Sequence, residues 1–481
     1  MQLNRTLLLA FLGFLSASTL RAQSDTILFT PQATYLYPGT YSAYTARFDR
    51  LGRHFIYTAN KEYGLIVFDC SNPEVLQPVR TLPVQQFQQL KPTDLTQQGN
   101  YLYVSLGGFD GLFPQKAGLA IVDITDPANA TLTGQWSDAA FNKGAAAILV
   151  EGDYAYLGAM EKGVIIVDVS KPDSPNYVSH LVPDINWPAP PGIFSVPHAR
   201  GFALRNDELW TCFDAGGLRL IDVSDKQHPV EKSRYINTQL DAVAQPAYNT
   251  ARIAGNHLFA AVDYCGLDVV DITDAANPAM AAWVNPWNCN NTNWDGSSGH
   301  TNQVATACHD SLLFLSGADS EVLAYGITNP LQPRRQGQYA VLHDSIATWG
   351  IDVNDSLVVL AQIWNPLQMP YIAKKGGIRL LRWICPKTTG AGETPAGSLY
   401  LNIFPNPLRE TAQLVFDLPD AAEIAWTVFN AQGQPVLERQ PFRQEAGKHT
   451  VTWDTGQWPA GPYVLAFRAN GRVMIRKMLK A

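Results

Sequence analysis

A chain of 481 residues with 46% hydrophobic side chains is long enough for a large core and more than one domain, which excludes a disordered polypeptide. Charged residues make up only 16%, whereas 36 Gly, 32 Pro, 12 Trp, 19 Tyr and 20 Phe predict many short strands joined by turns, an all-β chain. The formal net charge is −7, and the acidic excess lies upstream of residue 399, because the remainder holds nine basic and seven acidic side chains; a phosphate backbone meets repulsion there, which argues against nucleic acid as a partner.

The N-terminus reads Asn4-Arg5, then an apolar run from Leu7 to Leu15, then small and polar residues to Ala22. This order predicts a Sec-type signal peptide over residues 1–22, and the run is too short to span a bilayer. No later segment reaches about 18 uninterrupted apolar residues, so no transmembrane segment is expected. Six cysteines in an exported chain can pair, but Cys70, Cys212, Cys265, Cys289, Cys308 and Cys385 fit no zinc or haem spacing.

Internal repetition organises the rest. Segments of the pattern Gly, apolar, any, apolar, apolar, Asp begin at Gly64, Gly118, Gly163, Gly217, Gly266, Glu321 and Gly377, at intervals of 54, 45, 54, 49, 55 and 56 residues. That period matches one four-stranded propeller blade, and seven units make a ring. The third unit shows the internal order best: predicted strands over 146–150, 154–157, 163–168 and 177–181, here called a to d. Strand c is apolar on both faces, as expected of a strand sandwiched between blades. It ends in Asp followed two residues later by Ser or Thr, at Asp69, Asp123, Asp168, Asp222 and Asp271, and a carboxylate in that place accepts backbone N–H groups of the next turn. Five carboxylates sharing one setting are therefore turn-formers rather than catalytic acids. The sixth unit has Gly326 in place of this Asp and the seventh has Arg382.

The Gly-Leu-x-Ile-Val-Asp core followed by Ser/Thr-x-Pro resembles the LVIVD repeat, found in exported and surface propeller-type proteins, over roughly residues 30 to 385. The seventh unit runs out after strand c. Residues 33–37 precede the first a strand, so the N-terminal segment is expected to supply the missing outer strand and close the ring without an exposed edge.

After Cys385-Pro386 the composition turns small and polar, a linker over 386–398. Residues 399–481 then hold about seven short strands with turn signals, a small β-sandwich. The Phe404-Pro405-Asn406-Pro407 motif, the turn at Asn430 to Gly433, the Pro459-Ala460-Gly461-Pro462-Tyr463 segment and the basic end at Arg476, Lys477 and Lys480 resemble a type A sorting domain of the type IX secretion system. The resemblance implies export by that machinery and an extracellular or outer-surface location. The expected fold is thus all-β: a seven-bladed β-propeller over 23–385 and a C-terminal immunoglobulin-like sandwich.

In a propeller the d-to-a and b-to-c connections open on one face, and the long connections here are nearly all of that kind. They carry Trp187, Phe194, Trp287 and Trp294, which either form a recognition surface for a protein or glycan or pack their own loops. At the channel mouth of the same face His198, Arg200, His300, Asn302, Gln303 and Trp349 stand out among small residues, as ligand contacts or as solvated channel groups. The Asn-rich run 288–296 offers oxygen ligands for Ca²⁺ but lacks the spacing of an EF-hand loop, so it is equally a turn. Cys265 and Cys289 fall on this face and are expected to form a disulfide. A noncatalytic binding protein is the favoured function; the alternative is a metal-dependent hydrolase or lactonase working at the channel mouth.

Overall fold

A computed structural model describes residues 27–108, 114–189, 196–240, 247–287, 289, 300–317, 322–341, 345–365, 373–385, 400–404, 408–418, 421–431, 433–469 and 472–480, and every statement below concerns these. The expected signal peptide, linker and Ca²⁺ run fall outside them, apart from Cys289. The chain divides into two units, Met1–Pro386 and Lys387–Ala481. No α-helix occurs among the described residues, and no helix is long and apolar enough to cross a membrane.

The first unit consists of seven four-stranded antiparallel sheets, numbered here in order of their a strands along the chain. In the third they are Ala147–Glu151, Tyr154–Gly158, Val164–Asp168 and Asn176–Leu181, paired in that order. The a strand of each sheet packs against that of the next, and the a strand of the seventh, Ala347–Val353, packs against that of the first, Thr45–Phe48. The unit is a β-propeller with the a strands innermost. The seventh sheet takes its outer strand from the N-terminus: Thr30–Leu36 pairs antiparallel with Gly377–Arg382. A sheet left with three strands would expose unpaired N–H and C=O groups, and the N-terminal strand covers them.

The repeat signals have local causes. At Gly163 the backbone turns into strand c with φ +74°, and a Cβ would collide with the Leu181 carbonyl oxygen of strand d, so only glycine fits the close approach. Asp69, Asp123, Asp168, Asp222 and Asp271 each accept the backbone N–H two residues on, at 2.7–3.0 Å, and hydrogen bonds from the hydroxyl and the N–H of that Ser or Thr hold their carboxyls below the usual range. The turn-forming role is what the geometry displays. Strand c departs from the expected apolar pattern in three sheets, where Arg219, Asp268 and Arg379 are buried two residues after the glycine. Each is tied by side-chain hydrogen bonds, as a buried polar group must be.

Two disulfides occur: Cys265–Cys289, with Cα atoms 4.4 Å apart, and Cys308–Cys385, at 6.1 Å. Cys70 and Cys212 are buried thiols.

The second unit has a three-stranded sheet, Tyr400–Phe404, Thr411–Leu418 and Gly447–Asp454, and a four-stranded sheet ordered Pro435–Gln444, Ala422–Phe429, Gly461–Ala469 and Arg472–Lys480. Alternating side chains from both sheets, including Leu414, Phe416, Trp426, Val428 and Phe467, share one core. The basic end is the edge strand of the larger sheet.

Candidate functional site

The b-to-c connections and the entries to the a strands bring a continuous set of polar and aromatic groups to one end of the channel. His300, buried just before the a strand of the sixth sheet, places Nε2 2.7 Å from Asp263 Oδ1. Asp263 Oδ1 also accepts Asn249 Nδ2 at 2.9 Å. The imidazole stacks on Trp349 at 5.0 Å between centroids and meets the edge of Tyr264 at 5.4 Å. Trp349 in turn lies 6.3 Å from the Tyr44 ring, over which Lys61 sits at 5.5 Å.

A second cluster adjoins the first. Asp214 Oδ2 is 3.6 Å from both His198 Nδ1 and Arg200 Nε. Burial, reinforced by the Asp263 charge and opposed by Arg200, pushes the Asp214 carboxyl up to about 6. Burial and the charges of Arg200 and Lys143 push His198 down to about 4, so at neutral pH its imidazole is uncharged. The mouth therefore offers two carboxylates, two imidazoles, a guanidinium and an indole face within one arc. Among the described residues no three His, Cys, Asp or Glu side chains converge to hold a metal ion.

Of the residues expected from sequence, His198, Arg200, His300 and Trp349 meet in this arc. Asn302 and Gln303 are buried, and the main-chain carbonyl of Asn302 accepts the Thr250 hydroxyl at 3.0 Å. The Gln303 amide bonds Arg47, the Ile351 N–H and Thr45, joining the sixth, seventh and first sheets. Trp187 is half-buried in its own loop, with the guanidiniums of Arg219 and Arg234 over its ring at 4.9 and 5.4 Å. Trp287 packs partly buried against the core shared by the fifth and sixth sheets. Phe194 and Trp294 lie outside the described residues.

Sequence reasoning missed Asp214 and Asp263. Both stand three residues before the glycine that opens strand c, where the first and third repeats have Lys61 and Met160. That shared offset, on the b-to-c connection, was the available signal.

Family models match the chain in two regions. The secretion system C-terminal sorting domain matches residues 402–481, and the LVIVD repeat matches 92–138, 144–181, 212–237 and 251–285. The chain carries LVIVD repeats and a secretion sorting domain. The sorting domain marks export by type IX secretion, to the cell surface or the extracellular space. The four matched LVIVD segments fall on the second to fifth sheets, and the last two contain Asp214 and Asp263. No curated protein matches the chain. Among solved structures, one chain of a mitotic checkpoint complex is similar at 12% identity and TM-score 0.50, covering 78% of this chain and 99% of its own. The computationally designed Ika8 protein reaches 10% identity and TM-score 0.43, covering 73% and 99%. YCF48 bound to a D1 peptide reaches 11% and 0.48, covering 75% and 97%. At such identity the first of these likenesses speaks to fold alone.

Proposed function

We propose that this is a secreted or surface, noncatalytic seven-bladed propeller, over residues 23–385, which binds an extracellular glycan or protein at the mouth of its channel. A signal peptide (1–22), a linker (386–398) and an immunoglobulin-like sorting domain (399–481) complete it. Seven four-stranded sheets closed by the N-terminal strand support the blade count, and two sheets over one core support the sandwich. The observation that carries the binding role is the arc in which Trp349 and His300 stack beside Asp263, Asp214 and Arg200. An indole face next to mixed donors and acceptors suits a sugar ring with its hydroxyls, or a peptide with its main-chain groups. The loop aromatics Trp187 and Trp287 contribute less to such a surface, since both rings are partly packed.

The test is a screen of the purified protein against surface glycans and extracellular proteins. Trp349→Ala and Asp214→Asn are expected to abolish any binding found while leaving the fold intact. Binding unchanged in both would refute the assignment.

The alternative, an extracellular hydrolase or lactonase, draws on the 2.7 Å His300–Asp263 pair and on an Asp214 carboxyl near 6, which is suited to proton transfer near neutrality. Turnover of a lactone or ester panel that is lost in Asp214→Asn would favour it. A metal-dependent version further requires a stoichiometric bound ion, read directly by elemental analysis.

A further inference from the structure

Farther along the channel from the mouth, the a strands enclose a cavity of about 330 Å³ lined by, among others, Arg47, Asp94, Thr96, Thr250, Arg252 and Gln303. Its charges do not balance. Arg50 Nη2 reaches both oxygens of Asp352, at 2.7 and 2.9 Å, and so those two charges satisfy each other. Arg47 Nη2 lies 3.5 Å from Asp94, and its Nη1 is taken by Gln303 Oε1 and the carbonyls of Ile351 and Ala46 at 3.0–3.2 Å. Arg252 has no carboxylate of its own. Its guanidinium makes one side-chain hydrogen bond among the described residues, from Nη1 to the carbonyl of Ala251 at 3.0 Å, and the residue lines the cavity.

We propose that this cavity is a binding site for a small oxyanion, a phosphate or carboxylate group, held by Arg252 and by the adjoining Arg47. Within the lining itself two guanidiniums, Arg47 and Arg252, face one carboxylate, Asp94, which leaves one positive charge for a ligand to neutralise. A planar guanidinium fork matches two oxygens of a carboxylate or phosphate, and the Thr96 hydroxyl of the lining supplies a further donor. Burial, followed by the Arg47 charge, lowers the Arg252 pKa to about 10, the direction expected when a cation lacks a counter-charge in a confined space. An anion in the cavity would relieve that repulsion. The site stands apart from the mouth residues and does not depend on their reading.

The experiment is calorimetric titration of the full mature protein with inorganic phosphate and, in a second arm, malonate, each at fixed ionic strength in chloride. One site per chain is expected for at least one of the two probes, and the arm that binds names the group. Arg252→Gln is expected to weaken that binding about tenfold or more, and Arg252→Lys to weaken it less, because the charge remains without the fork. Should Arg252→Gln not fold, the lysine variant carries the comparison, with a measurable loss of affinity required. No binding of either oxyanion above chloride, or affinity unchanged on substitution of Arg252, would overturn the proposal.

Discussion

The buried carboxylate of Asp268 gives a sharp test of the propeller core. It has no solvent exposure, and its hydrogen-bond partners are neutral: Tyr248 Oη at 2.7 Å, Asn237 Nδ2 at 3.3 Å and Tyr235 Oη at 3.5 Å. Burial outweighs those bonds and raises the carboxyl from 3.8 to about 6. A folded-state pKa above the unfolded value means that the native protein binds more protons between pH 4 and 6, so stability falls as pH rises through that window. A shift of about 2 pKa units corresponds to roughly 3 kcal/mol lost by pH 7. Asp268→Asn keeps the shape and still meets the tyrosine hydroxyls, which both donate and accept, but removes the ionisation. The variant is therefore expected to gain about 3 kcal/mol on the native protein between pH 3 and pH 7. With an unfolding entropy of about 2.1 cal/mol/K per residue, a unit of this size converts that gain into a relative rise of about 4 °C in Tm. Thermal melts of both proteins across pH 3–8 measure it. A difference in Tm that does not change with pH would refute the reasoning.

The remaining predictions address other parts of the chain. Deleting residues 399–481 should leave the propeller folded but retained in the periplasm, and normal export of the truncated protein would count against the sorting role. Breaking Cys308–Cys385 by Cys308→Ser with Cys385→Ser opens a loop of 77 residues and should cost about 4 kcal/mol, read as a fall in Tm. Trp187→Ala removes a ring packed against two guanidiniums and should lower stability by about 2 kcal/mol; an unchanged melt would return this residue to the recognition surface. Removal of the five depressed turn carboxylates from play by acid should destabilise the fold as pH drops below their unfolded value near 4, in the opposite sense to Asp268.

What could be read from the sequence was what repeats. The glycine before strand c and the Asp after it recur because each answers a local backbone demand, at Gly163 a carbonyl too close for a Cβ and at Asp168 an N–H two residues on. The closing strand was legible for a related reason, since a seventh repeat lacking its outer strand requires one from elsewhere. The mouth was legible only in half. His198, Arg200 and His300, just before a strands, and Trp349, on one, stand out among small residues, but Asp214 and Asp263 lie on other segments, and only the fold brings them within 3.6 and 2.7 Å of their partners. Gln303 looked like a ligand contact because a polar residue beside the channel was conspicuous. Its amide is instead occupied in joining three sheets, a use that depends on the far end of the chain, at Thr45 and Ile351.

The departures from the repeat have a shared logic of their own. Arg219, Asp268 and Arg379 occupy the same position, two residues after the glycine, where the first and third sheets have Ile66 and Ile165. Arg219 donates to the carbonyls of Asp184 and Trp187 in the long connection that precedes the fourth sheet, while pairing with Glu231 at 2.7 Å. Asp268 holds Tyr235, Asn237 and Tyr248, which flank the connection preceding the fifth. Arg379 reaches Thr34 on the closing strand at 3.3 Å. An apolar side chain at this position packs one sheet on the next, but it leaves the polar backbone of a long loop without a buried partner. In each of these three sheets the buried charge is tied to a neighbouring segment, and two of the three stand in the sheets that also bring Asp214 and Asp263 to the mouth. Segments beside that end of the channel are thus held by side chains that break the pattern by which the fold is recognised.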